Sequence, residues 1–458
     1  MVCFQSVANP NKLASFETSP PESATNFPLN LLALAAGLAA LFSLLHFSGP
    51  SPQLRFIPYA PALPCLSVAI VVAIGSWRRL KRQQWDAGGL GPAAQRTLSP
   101  ERVALRVVGL VATLLLIAFA YWLLPEYAGT FYQPFWNYLR TLAPVLLLVP
   151  FYFSWIDTRL REEDDEYLAF GRLVLGRSKV IDSALIRRHL LGWTVKGFFL
   201  PLMTVYLVNE IVAIHQAYGA GGVQALVNYE FLYHVVFAVD VLFCVVGYTC
   251  TIRLLDSHIR SVEPTMLGWV AALICYQPFY SVIGQFYLQY QGDFYWDSWL
   301  RESPTLRGAW GGAIIVLLTI YTLSTVAFGV RFSNLTHRGI VTNGPYRFTK
   351  HPAYLSKNLS WWLISVPFVS GQGAAVGFRH CCLLLLLNLV YFVRARTEER
   401  HLSWDPTYVA YAQWIEQHGV LRRLGSLFPF LRYRAPRSTA QETGSHVASS
   451  ALLMRLLF

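Results

Sequence analysis

Charged side chains are scarce: 14% of the 458 residues are Asp, Glu, Lys or Arg, against about 25% in an ordinary soluble domain. That scarcity excludes a solvated globular surface over most of the chain. Cysteine is also sparse. The seven (Cys3, Cys65, Cys244, Cys250, Cys275, Cys381, Cys382) form no CxxC pair and lie mostly inside apolar runs, which suggests core packing and neither a disulfide framework nor a zinc site. Several catalytic signatures are missing as well: there is no P-loop, no HExxH and no GxSxG. The glycine clusters at 88–91 and 219–222 follow no strand, so they are not dinucleotide fingerprints. Residues 1–26 are polar and lack the charged-then-apolar pattern of a signal peptide.

What remains is apolar: 54% of the residues are hydrophobic and 15% aromatic. Several runs approach the ~20 residues a helix needs to cross a hydrocarbon core. Ten such segments are expected, at 27–48, 56–77, 103–124, 138–156, 190–214, 231–252, 265–288, 309–331, 359–370 and 374–393. An all-α polytopic integral membrane protein of about ten helices follows. The ninth segment is too short to span alone. It reads as a re-entrant helix, or as one arm of a tight hairpin that extends back through Tyr354.

The net charge of +12 does not point to nucleic acid, because Lys and Arg sit in short loops and form no arm or stripe. Loops 78–102 and 157–188 are Arg-rich, whereas 125–137 and 216–230 contain no Lys or Arg. By the positive-inside rule the basic loops, and both termini with them, face the cytoplasm. The acidic run Glu162–Glu166 reads as a solvated or helix-start block. Within spans, Lys196 and Glu210 lie near segment ends, where snorkelling accounts for them. Asp240 lies mid-segment and is either a structural or a functional group.

Polar chemistry collects in the last third of the chain. Residues 337–362 read HRGIVTNGPYRFTKHPAYLSKNLSWW, an apolar hairpin follows, and YFVRARTEERHLSWDPTYVAYAQWI comes after it. The hairpin returns the second cluster to the first, and both face the cytoplasm. The first carries Tyr346, His351 and Tyr354 with two glycines that permit close backbone approach; the second carries Arg394, Arg396, Glu398 and Glu399. A juxtamembrane turn with interfacial aromatics would use much the same residue types.

The order Gly339-Ile340, Gly344, Tyr346, His351-Pro352-Ala353-Tyr354, then Arg394, Glu398-Glu399, Leu402, Tyr408 and Tyr411 resembles the isoprenylcysteine carboxyl methyltransferase family, within the wider group of membrane phospholipid methyltransferases. It covers roughly residues 309–420. The organisation expected is a polar segment (1–26), a multi-span region (27–308), the methyltransferase-like module (309–433) and a disordered tail (434–458). Lys350 stands where that family has Arg, and Leu355-Ser356-Lys357 replaces its usual Gly.

The resemblance implies an S-adenosylmethionine-dependent methyltransferase. Gly339, Ile340, Val341, Tyr346, His351, Pro352, Tyr354 and Glu398 would line the cofactor, and Arg394 would orient a substrate carboxylate; an amine acceptor would need a base, for which Glu399 or His351 could serve. No metal and no nucleic acid are implied. The acceptor would be a lipidic or prenyl-like carboxylate entering from the bilayer, among membrane lipids. Phospholipid or small-molecule N- or S-methylation, a sterol-reductase-like NADPH oxidoreductase, and a non-enzymatic transporter or sensor remain alternatives.

Overall fold

The computed structural model describes residues 19–47, 60–82, 89–91, 96–162, 164–177 and 182–434. Residues 1–18 and the tail beyond 434 therefore lie outside the description. Helices carry the fold. They are α1 (Phe27–Phe47), α2 (Ala62–Arg82), α3 (Pro100–Leu123), α4 (Gln133–Leu142), α5 (Val149–Arg159), α6 (Glu166–Val174), α7 (Ser183–Gly221), α8 (Tyr229–Thr249), α9 (Met266–Leu273), α10 (Pro304–Phe328), α11 (Pro352–Ser365), α12 (Ala374–Leu402) and α13 (Pro406–His418). Two-residue strands β1 (Ser261–Val262) and β2 (Thr336–His337) pair antiparallel, Ser261 opposite His337.

Local sequence sets the helix starts. Ser99, Asp165, Asp182, Asn228, Thr265 and Asp405 each accept a backbone N–H from the first turn that follows, which satisfies donors a helix leaves open. Seven helical stretches among the described residues are long and apolar enough to cross a membrane: Phe27–His46, Pro100–Leu123, Thr130–Arg159, Ser183–Gly219, Tyr229–Thr249, Pro304–Arg331 and Ala374–Leu402. Their outward faces keep large apolar side chains exposed, among them Trp122, Leu147, Phe151 and Phe378, each more than 70% accessible. Such a band suits lipid. The chain is an all-α polytopic membrane protein.

Three of the ten expected crossings resolve differently. Ala62–Trp77 is a shorter apolar helix. Segment 265–288 breaks at Pro278 into α9, a short helix Phe279–Val282 and a π-turn Ile283–Tyr287, because proline interrupts the backbone ladder. The ninth segment does extend back, to Pro352, and forms a 14-residue helix. It stops because Val366 precedes Pro367 and leaves the helical region. Val366 takes φ 37°, a conformation that β-branched residues avoid, and its fully buried side chain is packed with Trp296, Leu300, Ile314 and Leu318.

The acidic run is less solvated than expected. Asp165 caps α6 and, with Asp157, holds the buried Arg106 guanidinium at 2.5 and 2.6 Å. Glu166 pairs with Arg188 and Arg253. The intramembrane acids also find partners. Glu210 Oε2 lies 2.7 Å from His234 Nδ1, and Lys196 is buried with its ammonium 3.2 Å from the centroid of Trp193. Six of the cysteines lie among the described residues, and all six are free.

The last third of the chain is tied to everything before it. Asn30 Nδ2 donates to the carbonyls of Val326 and Ala327, Ala24 N to Ile340 O and Thr342 Oγ1 to Pro21 O. Arg331 meets Asp256 at 2.5 Å. Arg338 donates to the carbonyls of Ser257, Gly247, Phe332 and Val330 at 2.6–3.0 Å. Gly247 lies in the last turn of α8 and Val330 in the turn that follows α10, where a cation also complements the helix dipole.

Candidate active site

The two polar clusters meet where α11 and α12 run side by side. Tyr354 Oη donates to Glu398 Oε2 at 2.7 Å. Lys350 Nζ and His351 Nε2 lie 2.9 and 3.1 Å from Glu399 Oε1, and Arg396 Nη1 lies 2.5 Å from Glu399 Oε2. Lys350 reaches Glu416 as well, at 2.7 Å. Glu399 is thus saturated by cationic and imidazole partners and is 4% exposed.

Above this junction the chain from His337 to Val341 passes through Gly339 at φ 112°. A Cβ there would stand 2.6 Å from Arg331 Nη1 and 2.8 Å from Ala24 Cβ, so the position admits only glycine without displacement. Gly344, at φ 56°, opens the turn that carries Tyr346. His337 Nε2 is 3.3 Å from Asp405 Oδ2. Burial pushes the Asp405 carboxyl up, but His337 and the Thr407 N–H outweigh it and hold the group at about 2.

These elements enclose a cleft of about 900 Å³, its open mouth included. Gly339, Ile340, Val341, Tyr346, His351, Tyr354, Arg394 and Glu398 all line it. Burial pushes the Tyr346 and Tyr408 phenols well above their ordinary range, so both stay neutral. Among the described residues Tyr408 Oη is buried without a partner. Glu398 Oε1 also has no hydrogen-bond partner among the described residues. Arg394 is 8% exposed; its Nη2 donates to Asn334 Oδ1 at 2.5 Å, and its guanidinium faces the rings of Tyr354, Tyr276 and Tyr391 at 5.3, 5.5 and 5.9 Å. Among the described residues no carboxylate lies within ion-pair distance of it.

Residues 311–404 match the isoprenylcysteine carboxyl methyltransferase (ICMT) family. The match supports a membrane methyltransferase. It spans roughly a fifth of the chain, from within α10 to just past α12, and takes in both halves of the cleft's polar wall. No curated protein and no solved structure matches the chain.

Two expected site residues, Pro352 as a cofactor contact and Glu399 as a catalytic group, stand apart from the cleft. Pro352 begins α11 and does not line it. Glu399 faces a neighbouring hollow of about 940 Å³, lined by Leu355, Tyr391, Phe392, Leu421 and Leu431 and sharing Lys350, His351 and Tyr354 with the first. The cleft also recruits residues that motif reading misses. Asn334 orients Arg394. Glu263, Gly268 and Ala272 come from before the matched region. Glu263 is 2% exposed; Thr265 donates to its carboxylate, and His401 Nδ1 lies 3.8 Å away. His401 in turn meets Ser261 at 2.8 Å. The pairing of β1 with β2 is what brings them in.

Proposed function

We propose that the chain is an S-adenosylmethionine-dependent methyltransferase that methylates the carboxylate of a lipidic or prenyl-like acceptor. The observation that carries this reading is Arg394, a buried guanidinium on the cleft wall with no acidic partner among the described residues. An uncompensated buried cation is costly, and a planar guanidinium matches a carboxylate.

The residues present fit the cofactor. Tyr346 and Tyr354 offer ring faces that attract a cation, Glu398 keeps an oxygen free to accept hydrogen bonds, and the unpartnered Tyr408 Oη waits for a polar group. The backbone at Gly339–Val341 allows close approach. When bound, the cofactor supplies a methyl group already activated on a cationic sulfur. The protein then has to align the acceptor and exclude water. A carboxylate is ionised at neutral pH and needs no base; Arg394 orients it. Glu399, neutralised by Lys350 and Arg396, is a positioning residue that holds His351. The apolar hollow beside the cleft supplies an approach for a chain arriving from the bilayer, and the Arg-rich loops support a cytoplasmic side for cleft and termini.

The test uses the full chain in lipid nanodiscs. S-adenosylhomocysteine binds by calorimetry and NADPH does not, and Glu398→Ala weakens binding about tenfold or more. With methyl-labelled S-adenosylmethionine and a membrane lipid extract, the label enters a lipid fraction and is released as methanol by mild base. A folded chain that binds no S-adenosylhomocysteine refutes the reading, and base-stable label refutes the carboxylate acceptor.

A further inference from the structure

Lys357 lies on α11 three residues beyond Tyr354, one turn closer to the hairpin bend. Its ammonium stands 4.9 Å from the centroid of Tyr321, 5.5 Å from Trp361 and 5.9 Å from Tyr391. The residue is only partly buried. Among the described residues it has no hydrogen-bond acceptor and no ion pair. The nearest acid by field is Asp240 on α8. Both Asp240 oxygens are already taken, by Tyr321 Oη at 2.7 Å and Thr325 Oγ1 at 2.5 Å.

An ammonium has three donors and no acceptor. Three ring faces attract it but satisfy none of those donors with a strong bond. Arg394 stands 5.9 Å from the same Tyr391 ring, so the two cations are separated by at most twice that distance. Both project from the α11–α12 hairpin beside one tyrosine, and both lack a carboxylate within ion-pair distance. One anion serving two such cations is a common solution to their cost.

We propose that Lys357 is a second acceptor-selecting residue, which holds the acidic group of a long-chain lipid acid together with Arg394 at the edge of Tyr391. This rests on the carboxyl-methylation reading and adds its specificity determinant. It also gives the upstream helices a part in the site. Asp240, pinned by α10, sets the position and strength of the ammonium's charge without occupying its donors. A neutral ester or an amine of the same chain length then loses the contact or meets repulsion.

The proposal is tested by quenching of tryptophan fluorescence with 5-doxylstearate, whose carboxylate is free, and with its methyl ester. The full chain is held in phosphatidylcholine nanodiscs, and S-adenosylhomocysteine affinity is measured in parallel. The acid is expected to quench saturably and the ester only in proportion to its partitioning. Lys357→Met weakens the acid's apparent affinity about tenfold, the order of one charge contact. Lys357→Arg keeps it within about threefold, and Lys357→Gln, which leaves a polar group without the charge, weakens it as Lys357→Met does. Cofactor-product affinity stays unchanged in all three. Acid and ester quenching alike, or a Lys357→Met curve that overlays the parent, overturns the proposal. Should Lys357→Met not fold, the Lys357→Gln arm decides it, because unchanged acid binding there overturns it equally. Loss of S-adenosylhomocysteine binding in the parent would instead count against the methyltransferase reading and leave the quenching result standing.

Discussion

Arg338→Ala is expected to destabilise the protein by more than about 4 kcal/mol, near the upper end of single substitutions. The guanidinium is 3% exposed and donates to four carbonyls at 2.6–3.0 Å. Bonds from a charged donor contribute roughly 1.5–3 kcal/mol each, but they act as one unit and do not add. Water entering the vacated space recovers part of the loss. What it cannot replace is the tie itself: the acceptors belong to α8, to the loop after it and to the end of α10, so one side chain fastens the upstream helices to the cleft. Arg338→Lys, which keeps the charge but loses the fork, should cost about half as much. Unfolding in mixed micelles with increasing dodecyl sulfate, followed by tryptophan fluorescence, measures the difference. An Arg338→Ala protein within about 1 kcal/mol of the parent would show that these four bonds do not hold the two regions together.

Gly339→Ala should cost about 2 kcal/mol or more, since the residue sits at φ 112° with Arg331 Nη1 and Ala24 Cβ inside contact distance of a Cβ; S-adenosylhomocysteine affinity should fall with it, read by calorimetry. Asp405 gives a pH signature. Its folded-state pKa, about 2, lies below the model-peptide 3.8, so its ionised form stabilises the fold above pH 3.8 and that contribution disappears as pH falls toward 2. After allowance for solvent screening it amounts to about 1 kcal/mol. Asp405→Asn, still a competent helix cap, should therefore differ from the parent at pH 6 and converge with it near pH 2 in thermal unfolding.

The apolar runs, their lengths and the capping residues are local properties, and they determined the helices, the membrane setting and the helical hairpin. The bipartite motif was equally legible, because Tyr346, His351, Tyr354, Arg394 and Glu398 all line one cleft. Segment 265–288 contains Pro278, and its apolar composition conceals a broken helix. Other features have no local signal at all. Arg396, an i,i+3 neighbour, is a local partner for Glu399, but nothing near it says that Lys350 and His351 would converge on it as well and leave Glu398 with the free oxygen. Nothing near Glu263 says that two residues of strand pairing would carry it to the cleft. Tertiary structure alone decided these, along with the company Lys357 keeps. Helix periodicity fixes which residues share a face, whereas the partner for a charge is set by whichever distant backbone packs against that face and excludes water from it.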